Sequence, residues 1–216
     1  MTNKYLYFVA NWKMFGDLKA LKSLDKVIKF SRTIKQKKIK LIYCPPSTLN
    51  NSLSNKLKKT KIEVGAQNSH ESEKYGAFTG QINSKIKSAL KSGLKIIFCI
   101  GETLKEKRNK KTNQVLSKQI KMGLKSIRKK SNIIIAYEPV WSIGTGLIPK
   151  QNDLIKSISF IKKKLGKKPS KILYGGSVKS DSINQLKNIN TLDGFLIGGA
   201  SQHPKKFIDI IKKTIN

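Results

Sequence analysis

Ile133-Ile134-Ile135-Ala136-Tyr137-Glu138-Pro139-Val140-Trp141-Ser142-Ile143-Gly144-Thr145-Gly146 is the stretch from which the fold of this chain is read. Its first part is an unbroken apolar run rich in β-branched residues, the pattern of a parallel strand buried on both faces, and Pro139 ends it. Glu138 therefore stands at the C-terminal end of a buried strand, the end at which α/β sheets carry their chemistry. The segment beyond has the make-up of a hinged cover. Pro139 stiffens its start, Gly144 and Gly146 can absorb large backbone rotations, and Val140, Trp141 and Ile143 can exclude water from a site.

Six more strand-like runs lie outward from this one, beginning near Tyr5, Ile39, Ile62, Lys95, Lys171 and Gly194. Between them, apolar residues recur at helical spacing: Leu18, Leu21, Leu24 and Ile28; Leu49, Leu53 and Leu57; Leu116, Ile120, Leu124 and Ile127; Leu154, Ile158, Ile161 and Leu165; Ile208, Ile211 and Ile215. Ile82 to Ser92 reads as a further helix. Strands alternating with helices predict an α/β fold with a parallel sheet, and 216 residues suit one domain over 1–216. Three strand ends besides that of Glu138 are chemically pointed. Asn11-Trp12-Lys13 places an amide and an ammonium after the first strand. Gly175-Gly176-Ser177-Val178 and Gly198-Gly199-Ala200-Ser201 come after the last two strands, where bare backbone N–H groups can approach a phosphate.

Taken together, the string from Ala136 to Gly146, the Asn11-Trp12-Lys13 start and the two glycine pairs resemble the triosephosphate isomerase family along nearly the whole chain. The resemblance implies a TIM-type (βα) barrel that interconverts dihydroxyacetone phosphate and glyceraldehyde 3-phosphate in glycolysis and gluconeogenesis. It implies Glu138 as the catalytic base, Lys13 as a second catalytic group, and Asn11 and Lys13 as substrate contacts. Gly144, Ser177, Gly198 and Gly199 would hold the substrate phosphate, with no cofactor and no metal. The segment from Ser69 to Gly80 resembles the family's third loop, so a homodimer is implied, with Thr79 near the partner's site and His70 in a structural role. A glutamate base under a closing lid, opposite a neutral histidine, is the general account of this family, which is itself the standard instance of both ideas.

One feature departs from the family pattern. The family has eight strands, the fourth ending in Gly-His-Ser-Glu with the electrophilic histidine, and only seven strands and no such motif are readable here. The two histidines present, His70 and His203, stand in contexts the family treats as non-catalytic. Residues after Gly80 begin like the helix preceding the fourth strand, while Lys85 to Leu90 read like the helix preceding the fifth, so one βα unit is missing between them. The chain is correspondingly short of the roughly 250 residues such barrels take. The expectation is that the runs at Ile62 and Lys95 pair directly in a seven-stranded closed or partly open barrel, with a strained seam or an open edge. The alternative function is a catalytically impaired phosphate-binding or interaction protein.

A formal charge of +33 invites a nucleic-acid reading. Against it, the lysines are spread over every segment, arginine occurs only at Arg32, Arg108 and Arg128, and no nucleic-acid motif is present. The surplus reads as a solvated surface that attracts a small phosphate dianion. Cys44 and Cys99 lie in apolar runs and are expected to be buried free thiols, without metal or redox spacing. No apolar run is long enough for a membrane span, and no signal peptide precedes the first strand, so the expectation is a cytoplasmic protein.

Overall fold

A computed structural model describes residues 5–34, 38–68, 82–127, 130–166 and 170–215. In chain order the elements are β1 (Leu6–Asn11), α1 (Leu18–Ser23), α2 (Asp25–Thr33), β2 (Ile39–Cys44), α3 (Asn50–Leu57), β3 (Glu63–Val64), α4 (Ile82–Lys91) and β4 (Ile96–Ile100). Next come α5 (Leu104–Arg108), α6 (Thr112–Gly123), β5 (Ile133–Tyr137), α7 (Gln151–Leu165), β6 (Lys171–Tyr174), α8 (Ile183–Leu186), β7 (Gly194–Ile197) and α9 (Pro204–Ile215). All seven strands form where the apolar runs predict them. The first helical stripe differs: two helices meet at Leu24, and Leu18 is 66% exposed. Asp17 explains the early start, since its carboxylate accepts the Ala20 N–H at 2.8 Å as an N-cap. The buried stripe is Leu21, Leu24 and Val27.

The strands make one parallel sheet in the order β3-β2-β1-β7-β6-β5-β4. Because side chains alternate along each strand, one face collects Val9, Ile42, Cys44, Ile134, Ala136, Leu173 and Leu196, with Tyr7 and Ile97 against them, as the filled interior of the curl. The other face, with Phe8, Ile135, Ile172 and Phe195, packs on the helices. Helix α7 shows the logic: Leu154, Ile158, Ile161 and Leu165 are all buried as their spacing predicts, and each contributes about 1.5–3 kcal/mol of burial.

Direct pairing of the strands at Ile62 and Lys95 does not occur among the described residues. β3 and β4 are the two edges of the sheet, so the open-edge form of the expected seam is the one observed. β3 is only two residues long, and its pairing with β2 stops at Tyr43 and Val64. In place of a hydrogen-bonded ladder, the seam is crossed by charge. Glu63 takes the Lys40 ammonium at 2.9 Å from its own side and Lys95, which directly precedes β4, at 3.4 Å from the other. Burial acts to raise the Glu63 pKa, but the hydrogen bond and charge of Lys40, with Lys95, outweigh it and hold the carboxyl below its ordinary value. The open edge also corrects one cysteine. Cys44 is buried, but Cys99 is exposed, because it faces the interior from a strand with no neighbour on one side.

Candidate active site at the C-terminal strand ends

β5 delivers Glu138 to the mouth of the curl. The Glu138 N–H donates to the Ile100 carbonyl at 2.8 Å and the Gly175 N–H donates to the Tyr137 carbonyl at 2.9 Å, so strands on both sides fix its backbone. Its side chain then lies across Gly175. A Cβ at that position would come within 2.4 Å of the Glu138 Cγ, so only glycine permits this pose. Burial raises the carboxyl pKa above its ordinary value, against the opposing pull of a hydrogen bond from Cys99 and of the Lys13 charge. The Cys99 thiol, its own pKa pushed well up by desolvation among the neighbouring strands and by the Glu138 charge although the residue also meets solvent at the open edge, stays protonated and donates to that carboxylate. A buried carboxylate held this way is a stronger base than one in water.

Across the mouth, Lys13 adopts a left-handed backbone conformation, φ +54°, which costs a residue with a Cβ about 1–2 kcal/mol. The Asn11 side chain accepts the Lys13 N–H at 3.0 Å, and the Gln67 amide donates to the Lys13 and Cys44 carbonyls at 2.6 and 3.0 Å. Strain maintained by three such bonds at a cavity wall is the kind a site retains for function. The Trp12 indole N–H, bonded to the Ser201 carbonyl at 3.1 Å, ties this strand end to the second glycine pair.

The cover beyond Glu138 is anchored at both ends. At its start the Trp141 indole donates to Glu102 at 3.0 Å, Tyr137 donates to the same buried carboxylate at 3.1 Å, and Lys107 sits 4.0 Å over the Trp141 ring. At its end Gly144 and Gly146 take positive φ, the Gly146 N–H donates to Ser177 Oγ at 2.9 Å, and Ser177 Oγ donates to the Ser142 carbonyl at 2.7 Å. Beneath, Ser142 Oγ and Tyr174 OH are 3.0 Å apart. The cover is thus latched onto the loop after β6. Asn11, Lys13, Glu138, Gly144, Ser177, Gly198 and Gly199 all line one cavity of about 670 Å³. Residues nominated from four strand ends meet in one place. This arrangement can abstract a proton beside an anion-binding wall.

A model of the family "Triosephosphate isomerase" matches residues 6–85 and again residues 81–214. The chain belongs to the triosephosphate isomerase family. The family protein of Thermodesulfovibrio yellowstonii is 35% identical over a 244-residue alignment that covers 95% of this chain and 98% of that protein. That of Saccharomyces cerevisiae is 34% identical over 244 residues, with 95% and 97% covered. The triosephosphate isomerase structure from Bartonella henselae superposes with a TM-score of 0.85 at 27% identity, covering 98% of this chain and 99% of that one. Residues 81–85 serve both halves of the family match, and the 244-residue alignments exceed the 216 residues present. The alignment length shows that a segment of the relatives is absent here, and the overlap places that missing βα unit at the start of α4, between β3 and β4, where the sheet is open.

His70 and Thr79 lie outside the described residues. His203 lines the cavity, but from the start of α9 behind Gly199, on the wall of the glycine pairs. Sequence reasoning missed Cys99 as a partner of the base and Gly175 as the space under it. Strand parity could have found the first, since Cys99 is two residues from Ile97 and shares its inward face. Among the described residues no group of three or more His, Cys, Asp or Glu side chains could hold a metal ion, and no helix is long and apolar enough to cross a membrane.

Proposed function

We propose that this family member interconverts dihydroxyacetone phosphate and glyceraldehyde 3-phosphate in the cavity under the cover, with Glu138 as the base. The observation that carries the proposal is the placement of Glu138, a carboxylate of raised pKa lying across Gly175 in the same cavity as Lys13 and the two glycine pairs. In this reading Gly144, Ser177, Gly198 and Gly199 take the substrate phosphate. Glu138 removes a proton from the carbon next to the carbonyl and returns it to the neighbouring carbon. Negative charge then grows on the substrate oxygens, and Asn11 with Lys13 are the donors facing them. Kinship with whole-length isomerases favours this over a binding protein without turnover. The histidine donor of the family is missing all the same, so turnover is slow.

The test is a coupled isomerase assay on protein from a host lacking its own isomerase, with calorimetry of a triose-phosphate analogue beside it. Glu138→Gln is expected to abolish turnover while the analogue still binds, more weakly as salt rises. An unchanged rate in Glu138→Gln, or no heat at millimolar analogue with folded protein, overturns the proposal. The remaining assignments go with it: one domain over the whole chain, a cytoplasmic enzyme, and a homodimer built on the loop that contains Thr79. Light scattering at micromolar concentration checks the last, and a clean monomer mass would remove it.

A further inference from the structure

The cavity is larger than the proposed substrate needs. A triose phosphate has three carbons and one phosphoryl group, whereas about 670 Å³ is the size of pocket that encloses much larger ligands. Beyond the residues nominated for the substrate, the wall continues along the loop after β6 and the segment leading from the Gly199–Gln202 turn into the first turn of α9, with Lys179, Gln202, His203 and Lys206. We infer that this wall is a second anion subsite, and that the pocket therefore binds small molecules carrying two phosphoryl groups in preference to those carrying one. The inference rests on the proposed phosphate grip and extends it outward.

Three observations support it. First, neither the Lys179 nor the Lys206 ammonium has an ion-pair or hydrogen-bond partner among the described residues, although Lys40, Lys56, Lys95, Lys171 and Lys213 all do. Second, both stand on fixed backbone beside the grip. The Lys179 N–H donates to Ser182 Oγ at 2.8 Å, and its ammonium lies 3.6 Å from where a Cβ on Gly146 would sit. Lys206 precedes the buried anchor Phe207, whose N–H bonds the His203 carbonyl at 3.0 Å. Third, the first turn of α9 has no acidic residue and carries Lys205 and Lys206 against the positive end of the helix dipole, an arrangement an anion placed there would relieve. Lysine is abundant everywhere in this chain. With Lys13, these two are the lysines on the wall of the cavity that holds the proposed phosphate cradle, and they stand on its outer side, away from the strand end that carries Lys13. Of the acids on the cavity wall, Glu138 belongs to the catalytic side and Asp181 alone opposes the subsite.

Calorimetry with three probes tests the inference: inorganic phosphate, inorganic pyrophosphate, and the bisphosphate ester of 1,3-propanediol. The better of the two doubly phosphorylated probes is expected to bind at least about tenfold more tightly than phosphate. Lys179→Glu with Lys206→Glu should remove that preference and leave phosphate affinity within about threefold. A control pair, Lys58→Glu with Lys91→Glu, makes the same change in net charge far from the cavity and should keep the preference. Phosphate binding without preference, or equal losses in both double variants, overturns the subsite alone. No binding of any probe to folded protein overturns the phosphate grip as well.

Discussion

The strands from β5 to β7 and the seam between β3 and β4 belong to one sheet, yet they respond differently to the loss of a βα unit. Strands β5, β6 and β7 each have a hydrogen-bonded neighbour on both sides, and the latch from Gly146 through Ser177 to Ser142 and Tyr174 closes within that half. At the seam, β3 is reduced to two residues, an ionic contact replaces a ladder, and Cys99 is open to solvent. The difference shows that the Glu138 strand end, its cover and the loop after β6 keep their hydrogen-bonded contacts where each strand has two neighbours. Under the proposed function, the missing unit would have supplied a side wall and the histidine donor that the family resemblance implies. The two regions still touch, because β4 is at once the seam edge and the strand whose Ile100 carbonyl and Cys99 thiol hold Glu138.

The largest expected effect breaks the comparison at its weak side. Loss of one preorganised donor to a developing oxyanion typically costs about 10²–10³ in rate, and displacement of reacting groups by about 1 Å costs roughly 10² more. Turnover at least about a thousandfold below that of the Saccharomyces cerevisiae relative is therefore expected, read as kcat in the same coupled assay. A kcat equal to the relative's would show that another side chain supplies the donor, and His70 is the first to replace.

A smaller effect tests the intact side. Gly175→Ala puts a methyl group within 2.4 Å of the Glu138 Cγ and must displace the base. A loss on the order of 10² in kcat is expected, with analogue affinity unchanged. Gly123→Ala is the matched control, because its Cβ would clash as closely, 2.3 Å from the Phe98 ring, at a helix position outside the cavity. If the two variants lose activity equally, Gly175 is not the residue that makes room for the base.

The sequence revealed the intact block well and the seam poorly, for physical reasons. Ile133 to Tyr137 are buried on both faces, so composition alone marks a strand, and Pro139 with the two glycines marks the cover beyond it. Seven strands could be counted because each apolar run is separated from the next by a helical segment, but the direct pairing expected of the strands at Ile62 and Lys95 is not made among the described residues. Whether Glu63 and Lys95 would be joined by a ladder or by charge could not be read, because closure depends on strand tilt and interior filling summed round the whole barrel. Cys99 misled for the same reason: Phe98, Cys99 and Ile100 look buried as a run, and only the missing neighbour exposes the middle residue. Gly175 was visible as a phosphate-loop glycine but not as space for Glu138, since that contact joins two strands across the fold.

The smallest effect sharpens the comparison through two carboxylates, one in each region, that titrate in opposite directions. Glu63 at the seam has a folded pKa below its unfolded value of about 4.3, so it contributes stability above that value and loses it as pH falls through the folded pKa. Glu63→Gln should therefore lower stability at pH 7.5 and matter less at pH 4. With both partners partly exposed, the loss is about 0.2–1 kcal/mol, a few degrees of Tm at most. Glu138 has a folded pKa above its unfolded value, so its ionised form costs stability as pH rises past the ordinary carboxylate range, and the cost is complete above the folded pKa. Glu138→Gln should then raise Tm at pH 7.5, with the gain vanishing at pH 4. Scanning calorimetry of both variants at the two pH values gives four differences from the parent protein. Opposite signs at pH 7.5 that converge at pH 4 identify a seam held by charge and a base held at the expense of stability. The same sign for both would mean that one of the two carboxylates is not in the environment described.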